Sequence, residues 1–485
     1  MASGFAVAVL EPGTDALLLT GTALVLGAPL AIRVARRRFD VFEPIVFFAV
    51  AYGVMFVVRP AADLATGTSV YSIADVGIGI KDTYTEMLVL ALVGAVAFVV
   101  TYELSYARQV APVDAPAYRY RPAVLIACAL ALTLLGLLCF GAYVYSVGGV
   151  GALPTVLEGR SQSLRVASTG ITNYFLNAQA VLVPAALVIL AVAFVQKRIG
   201  LFLLSLLPAL LLVLFAGPSG GRIVMLPLLL GAATLYYTMK GRRPTLVSVL
   251  AVACVGLVVS GIIQEARNVE KREVVGLGHL ISEGVKPNTF LRPILEGQDA
   301  AMAPALAAML TIVPEQLPFK YGGATIGDLL VRPIPRPLWD AKPLPPRVEV
   351  ISVLWPTLAT YRVANPEFST LSVFYLDAGG VGVFVGLALY GAIFRRLYIF
   401  YRRRDGALVG RLVLAVGLPL TVISLRDGPV DSFMRAVFIL GPIPLVLYLA
   451  RYQAVVRRIV RPQVRDRLPP APSARRKVRP KASDA

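Results

Sequence analysis

Five short segments set charged side chains among glycines and prolines in an otherwise apolar chain. GPSGGR (217–222) places three glycines beside Arg222, a pairing that lets backbone and guanidinium approach an anion such as a phosphate. A plain hairpin turn whose arginine reaches lipid headgroups accounts for the same residues. QEARNVEKRE (264–273) presents Glu265 and Arg267 where an apolar run ends, and a solvated helix end with charge pairs at helical spacing reads equally from it. RPIPRPLWDAKP (332–343) interleaves Arg332, Arg336, Asp340 and Lys342 with four prolines and Trp339. Prolines hold such cations with little entropy loss, and Trp with Arg suits a sugar face and a phosphate. An interfacial Trp with basic neighbours is the plainer account. SVFYLDAGGVGVFVGLALYG (372–391) buries Asp377 one to two turns inside an apolar run, followed by Gly379, Gly380, Gly382 and Gly386. An ionisable group there points to function, whereas the glycines alone point to close helix packing. SLRDGPVDSFMR (424–435) offers Arg426, Asp427, Asp431 and Arg435 at a polar turn.

The elements that must position these residues are membrane spans. The chain has 485 residues, of which 57% are hydrophobic and 15% charged, with a mean hydropathy of +0.74. Soluble domains carry about 25% charged residues. The apolar residues fall in blocks long enough to cross a hydrocarbon core of about 30 Å. They predict an all-α polytopic membrane protein of about eleven transmembrane helices. The expected spans are 15–32, 43–58, 87–104, 122–146, 175–195, 199–216, 223–239, 245–264, 372–393, 407–425 and 433–451. The first apolar block lacks a small-residue cleavage site and reads as a span rather than a signal peptide.

Lys and Arg gather in alternate short loops: Arg33 to Arg38, Arg108 to Arg121, Lys197 with Arg198, Lys240 to Arg243, and Arg395 to Arg404. The positive-inside rule puts these in the cytoplasm, with the N-terminus outside and the C-terminus inside. The spanning domain is taken as 1–461, and the basic, Pro-rich tail 462–485 reads as a disordered cytoplasmic anchor to anionic lipid. One large extracytoplasmic loop, 265–371, breaks the pattern of short connections. Its apolar stretch 301–313 is expected to lie on the outer membrane surface. The Pro-rich block 332–347 is expected to be extended and to fold over an outer cavity between spans six to ten.

The net charge of +19 sits beside spans and in the tail, so it indicates membrane lipid and not nucleic acid. Cys128, Cys139 and Cys254 lie in apolar segments and read as core residues. A single histidine, His279, excludes a multi-His metal site, and neither a nucleotide loop nor a paired-acid metal motif is present, so no cofactor is expected. Arginines and a few carboxylates around one outer cavity suit a lipid-linked pyrophosphate.

The glycine turn ending in Arg, the large outer loop, IPRPLWDAKP, FYLDAGGVGVFVG and LRDG together resemble the Wzy-like O-antigen polymerases, over about 210–430. The resemblance implies a bacterial plasma-membrane glycosyltransferase. Such an enzyme transfers a glycan from undecaprenyl pyrophosphate to an acceptor sugar on another lipid-linked repeat unit, in partnership with a chain-length regulator. It implies catalytic roles for Arg222, Arg336, Arg426 and Asp377, with Glu265 a second candidate base. Arg267, Trp339, Lys342 and Glu265 are expected to bind substrate, and Arg336 is expected within reach of Arg222 or Arg426. Three other classes fit parts of the sequence. An O-antigen ligase-like transferase would use His279. A transferase using polyprenyl-phosphate sugars would pair acids in the first outer loop, where Asp63 and Asp75 lie far apart. A transporter of lipid-linked sugar would show broken helices in two related halves.

Overall fold

A computed structural model describes residues 12–73, 76–105, 119–146, 148–149, 151, 172–216, 222–242, 244–245, 248–249, 300–334, 338–339, 341–357, 368–403 and 407–452. The chain is an all-α, multi-pass membrane protein. Among the described residues, eight helices are long and apolar enough to cross a membrane. They are α1 (Pro12–Ala35), α2 (Pro44–Thr66), α3 (Lys81–Leu104), α4 (Pro122–Ser146), α5 (Gln179–Gln196), α11 (Thr370–Arg403), α12 (Leu408–Asp427) and a last span, Pro429–Ala450. That last span breaks before Pro442 into α13 (Pro429–Ile439) and α14 (Pro442–Ala450). Two further apolar helices, α6 (Ile199–Ala216) and α7 (Arg222–Lys240), fill the expected sixth and seventh positions. Most of the expected span 245–264, and the tail, lie outside the described residues.

Span α2 runs eight residues past its expected end at Val58. The chain passes through a wide π turn, Val54–Val58, just before Pro60, which has no N–H to give and whose ring crowds the preceding turn. The helix therefore continues where Arg59–Pro60 reads as a stop. Gly67 ends it in the left-handed region, and a two-stranded hairpin, β1 (Val70–Ile73) with β2 (Val76–Gly79), leads into α3.

The helices form two large apolar cores and a small one. One large core gathers α1, α2, α3 and α11 around the long loop; the other gathers α4 to α7 and α12 to α14; the small one joins Phe42 to α11 and α12. Ends that the Lys/Arg bias assigns to one side meet in space. Arg119–Tyr120 pair as β3 with Arg451–Tyr452 as β4, and the Tyr398 hydroxyl donates to Asp40 at 2.8 Å. At that same end Glu43 accepts from Arg33 at 2.8 Å, Arg395 at 3.0 Å and Tyr102 at 3.2 Å, while Arg33 also reaches Glu103 at 2.7 Å. Arg33 and Arg395, expected as loop charges, are thus ties among α1, α2, α3 and α11, Arg33 half-buried and Arg395 buried.

The described part of the long loop packs into the protein. Its apolar stretch forms α8 (Met302–Leu310), whose residues are all buried, and Thr83 of α3 donates to the Ala307 carbonyl at 2.7 Å. The expectation that 301–313 lies on the membrane surface is therefore wrong: this is a protein-buried helix. Its alanines let neighbours approach closely, and that close approach covers it. A second loop helix, α9, runs 323–331, a π turn Gly323–Gly327 continuing into Asp328–Val331. The Pro block then delivers α10 (Pro346–Leu354). Pro345 is extended and Pro346 occupies the first turn, where its missing N–H is not needed.

α11 is not a straight span. Ala378 and Gly379 are non-helical, and Gly379 takes a left-handed φ of 61°. Phe374 and Tyr390 would stand about 24 Å apart along one helix axis. Their rings lie 5.6 Å apart, so the arm 370–377 folds back against the arm that follows. Gly382 and Gly386 permit this: a Cβ on Gly382 would lie 2.1 Å from the Phe374 carbonyl oxygen, and one on Gly386 2.3 Å from its ring. With α3 as a ruler, Leu90 flanks Gly380 and Gly94 meets both Leu371 and Leu387. The short arm thus begins about 20 Å down a helix of about 36 Å, so α11 enters as a re-entrant hairpin.

Candidate functional site

A small cleft, partly open to solvent, lies where the loop and the α11 arm meet the turn from α12 into α13. Five segments wall it: the end of α8, α9, the start of α10, the re-entrant arm of α11, and the turn from α12 into α13. Broken backbone at membrane depth requires protein or water around it. Here the break at 378–379 meets the loop, Phe319 filling the space over Gly379, and the turn between α12 and α13 meets the α11 arm, Val373 sitting 3.1 Å from where a Gly428 Cβ would be.

The breaks also explain how α9 is held. Helix ends leave carbonyls without intrahelical donors. The Leu376 and Asp377 carbonyls take the backbone N–H groups of Lys320 (2.9 Å) and Tyr321 (2.8 Å). The Asp377 side chain completes the join: Oδ1 accepts from the Ala324 N–H at 2.7 Å and Oδ2 from the Thr325 hydroxyl at 2.6 Å. These are the positions an N-cap side chain normally serves, supplied here from another helix.

One turn along α9 lies Asp328, and one more brings Arg332. The Arg332 guanidinium forks between two carboxylates. Nε and Nη2 reach Asp328 at 3.2 and 2.5 Å, and Nη1 reaches Asp431 at the head of α13 at 2.7 Å. Arg347, on α10, lies 4.0 Å from the other Asp431 oxygen. Burial works against the charge on Arg332, but Asp431 and Asp328 outweigh it, so the guanidinium is held protonated more firmly than usual. Backbone contacts fix the strand that carries it: Tyr174 donates to the Arg332 carbonyl at 2.6 Å, and Lys342 Nζ to the Arg332 and Ile334 carbonyls at 3.1 and 2.7 Å. Behind the turn, buried Asp427 pairs with Arg426 at 2.8 Å and closely with Arg435. The opposite wall is apolar, with Met309, Val350, Phe368 and Val373. The cleft thus sets paired charges, Arg332 and Arg347 among Asp328, Asp427 and Asp431, against an apolar wall, a two-sided lining suited to an amphiphile.

The expected site residues are distributed unevenly. Asp377 adjoins the cleft's frame but does not line it; both its oxygens are taken up by α9. Arg426 pairs with Asp427 and lies just outside the lining. Lys342 braces the backbone at Arg332, and Trp339 is partly exposed on the loop. α6 ends at Ala216 and α7 begins at Arg222, either side of the expected glycine turn, and the turn itself and the Arg222 side chain lie outside the description. Arg336, Arg267 and Glu265 also lie outside the described residues, as does His279. Asp328 and Arg347 do not stand out in the sequence as site residues. Asp328 had a signal in its i,i+4 spacing to Arg332, whereas Arg347 had none beyond its charge. Among the described residues no cluster of three metal-binding side chains occurs. No family model, curated protein or solved structure matches this chain.

Proposed function

We propose that the chain is a bacterial plasma-membrane glycosyltransferase that lengthens a glycan carried on undecaprenyl pyrophosphate, in the manner of the Wzy-like polymerases its motifs resemble. The reading places the N-terminus and the loop outside and the C-terminus in the cytoplasm, with a chain-length regulator as partner. The observation that carries it is the Arg332 fork on Asp431, with Arg347 alongside, in a half-apolar cleft. In this reading the pyrophosphate competes with the carboxylates for Arg332 and Arg347 and frees Asp431. Asp431 then takes the proton from the acceptor hydroxyl as its oxygen attacks the anomeric carbon. The bond from that carbon to the pyrophosphate oxygen breaks, and the leaving group departs with the electron pair onto the arginines. No nucleotide or metal is required. The broken α11 favours a second reading, a transporter of the same lipid, though the two breaks lie in neighbouring elements rather than in related halves.

Cells lacking the native protein and complemented with Arg347→Ala or Asp431→Asn test the reading. Surface polymer should disappear while single repeat units persist and the variants reach the membrane at normal levels. Normal polymer from both variants would overturn it.

A further inference from the structure

The geometry points to Asp377 as a positioning residue: its carboxylate caps α9 from across the α11 break and thereby sets Arg332 on Asp431, without itself touching substrate. This rests on the reading of the cleft given above as the site of transfer. Asp377 carries an ionisable group into a membrane span, a placement that ordinarily signals chemistry. Yet both oxygens are already engaged, one by a backbone N–H and one by a hydroxyl, and the residue does not line the cleft. The two groups it meets, Ala324 N–H and Thr325 Oγ1, open a helical segment whose following turns carry Asp328 and then Arg332. The loop before it is stitched to the same break by Lys320 and Tyr321, and Phe319 packs on Gly379 and on Tyr375. α9 therefore takes its starting point and its axis from the hairpin tip. A shift of the cap would carry Arg332 away from Asp431, which belongs to a different element of the second core.

Capping and charge make different demands. An asparagine can reproduce the cap: its oxygen accepts from Ala324 and its amide donates to the Thr325 hydroxyl, which can accept. An asparagine cannot take a proton or supply a negative charge. Asp377→Asn should therefore leave the protein near normal, Asp377→Ala should not, and Thr325→Val should fall between them.

The experiment uses the full chain in lipid nanodiscs, with spin labels on cysteines replacing exposed Leu330 and Phe433 and the three native cysteines replaced by serine. The inter-label distance reports α9 against α13 and does not depend on activity. Asp377→Asn should keep the parent distribution, and Asp377→Ala should broaden it, with a population of displaced α9 roughly tenfold above the parent, the scale of a lost cap. Thr325→Val, which removes one contact and leaves the charge, should broaden it less. In an elongation assay kcat should fall for Asp377→Ala and recover in Asp377→Asn. A parent-like distribution in both Asp377→Ala and Thr325→Val overturns the proposal, as does an Asp377→Asn variant as inactive as Asp377→Ala. If Asp377→Ala fails to fold, Thr325→Val and Asp377→Asn decide between the same outcomes. Should the parent protein elongate nothing, the functional reading fails while the distance measurement still judges the cap.

Discussion

Replacing Gly382 with alanine tests the re-entrant hairpin that frames the cleft. The new Cβ would stand 2.1 Å from the Phe374 carbonyl oxygen, against at least 3.4 Å for an ordinary contact. The short arm would have to retreat by about 1.3 Å, the difference between those distances. The obstacle is backbone, so no rotamer change relieves it. Overpacking of this kind costs about 3 kcal/mol, the upper part of the usual range, and more if the arm cannot move as a unit. Gly27→Ala in α1 is the control: nothing lies within 4 Å of its Cβ, so it should be neutral or stabilise by up to ~1 kcal/mol through helix propensity. Unfolding by SDS titration in mixed micelles reads both. A Gly382→Ala protein as stable as the parent, with Gly27→Ala also unchanged, would refute the folded-back arm, because a straight helix would leave position 382 nowhere near Phe374.

Glu43→Ala removes the acceptor shared by Arg33, Tyr102 and Arg395 and should destabilise the protein by about 3–5 kcal/mol in the same titration, with Glu43→Gln milder because one acceptor remains. Parent-like stability of the alanine variant would mean the cluster ties nothing together. Arg332→Lys keeps the charge but a single ammonium cannot fork between Asp328 and Asp431, so elongation should fall about 10–100-fold with normal membrane levels; full activity would show that charge alone suffices. A cysteine replacing exposed Gln316 should react with an impermeant thiol reagent added outside intact cells. Protection there, with labelling only after the inner face is opened, would invert the proposed orientation.

The helical membrane fold was legible because each span is an apolar run of sufficient length, and a bilayer leaves little else for such runs to do. The loop was not legible in the same way. Composition says that 301–313 is apolar but not whether lipid or protein covers it, and the choice was made by contacts with α3, more than 200 residues earlier in sequence. The Asp-Ala-Gly-Gly run in α11 signals an unusual span, and its glycines suit close packing. They are packing sites, but the partner is the same helix folded back on itself, which local periodicity cannot reveal. Arg332 stands among its prolines with no role visible in the sequence, since the role depends on Asp431, 99 residues away.

The most direct measurement of the central claim is elongation by purified protein in liposomes containing only undecaprenyl-pyrophosphate-linked repeat units, with no nucleotide sugar. The account predicts a ladder of longer lipid-linked glycans, abolished by Arg332→Ala and by Asp431→Asn. Unchanged repeat units that merely appear in the opposite leaflet would contradict it and establish the transporter instead.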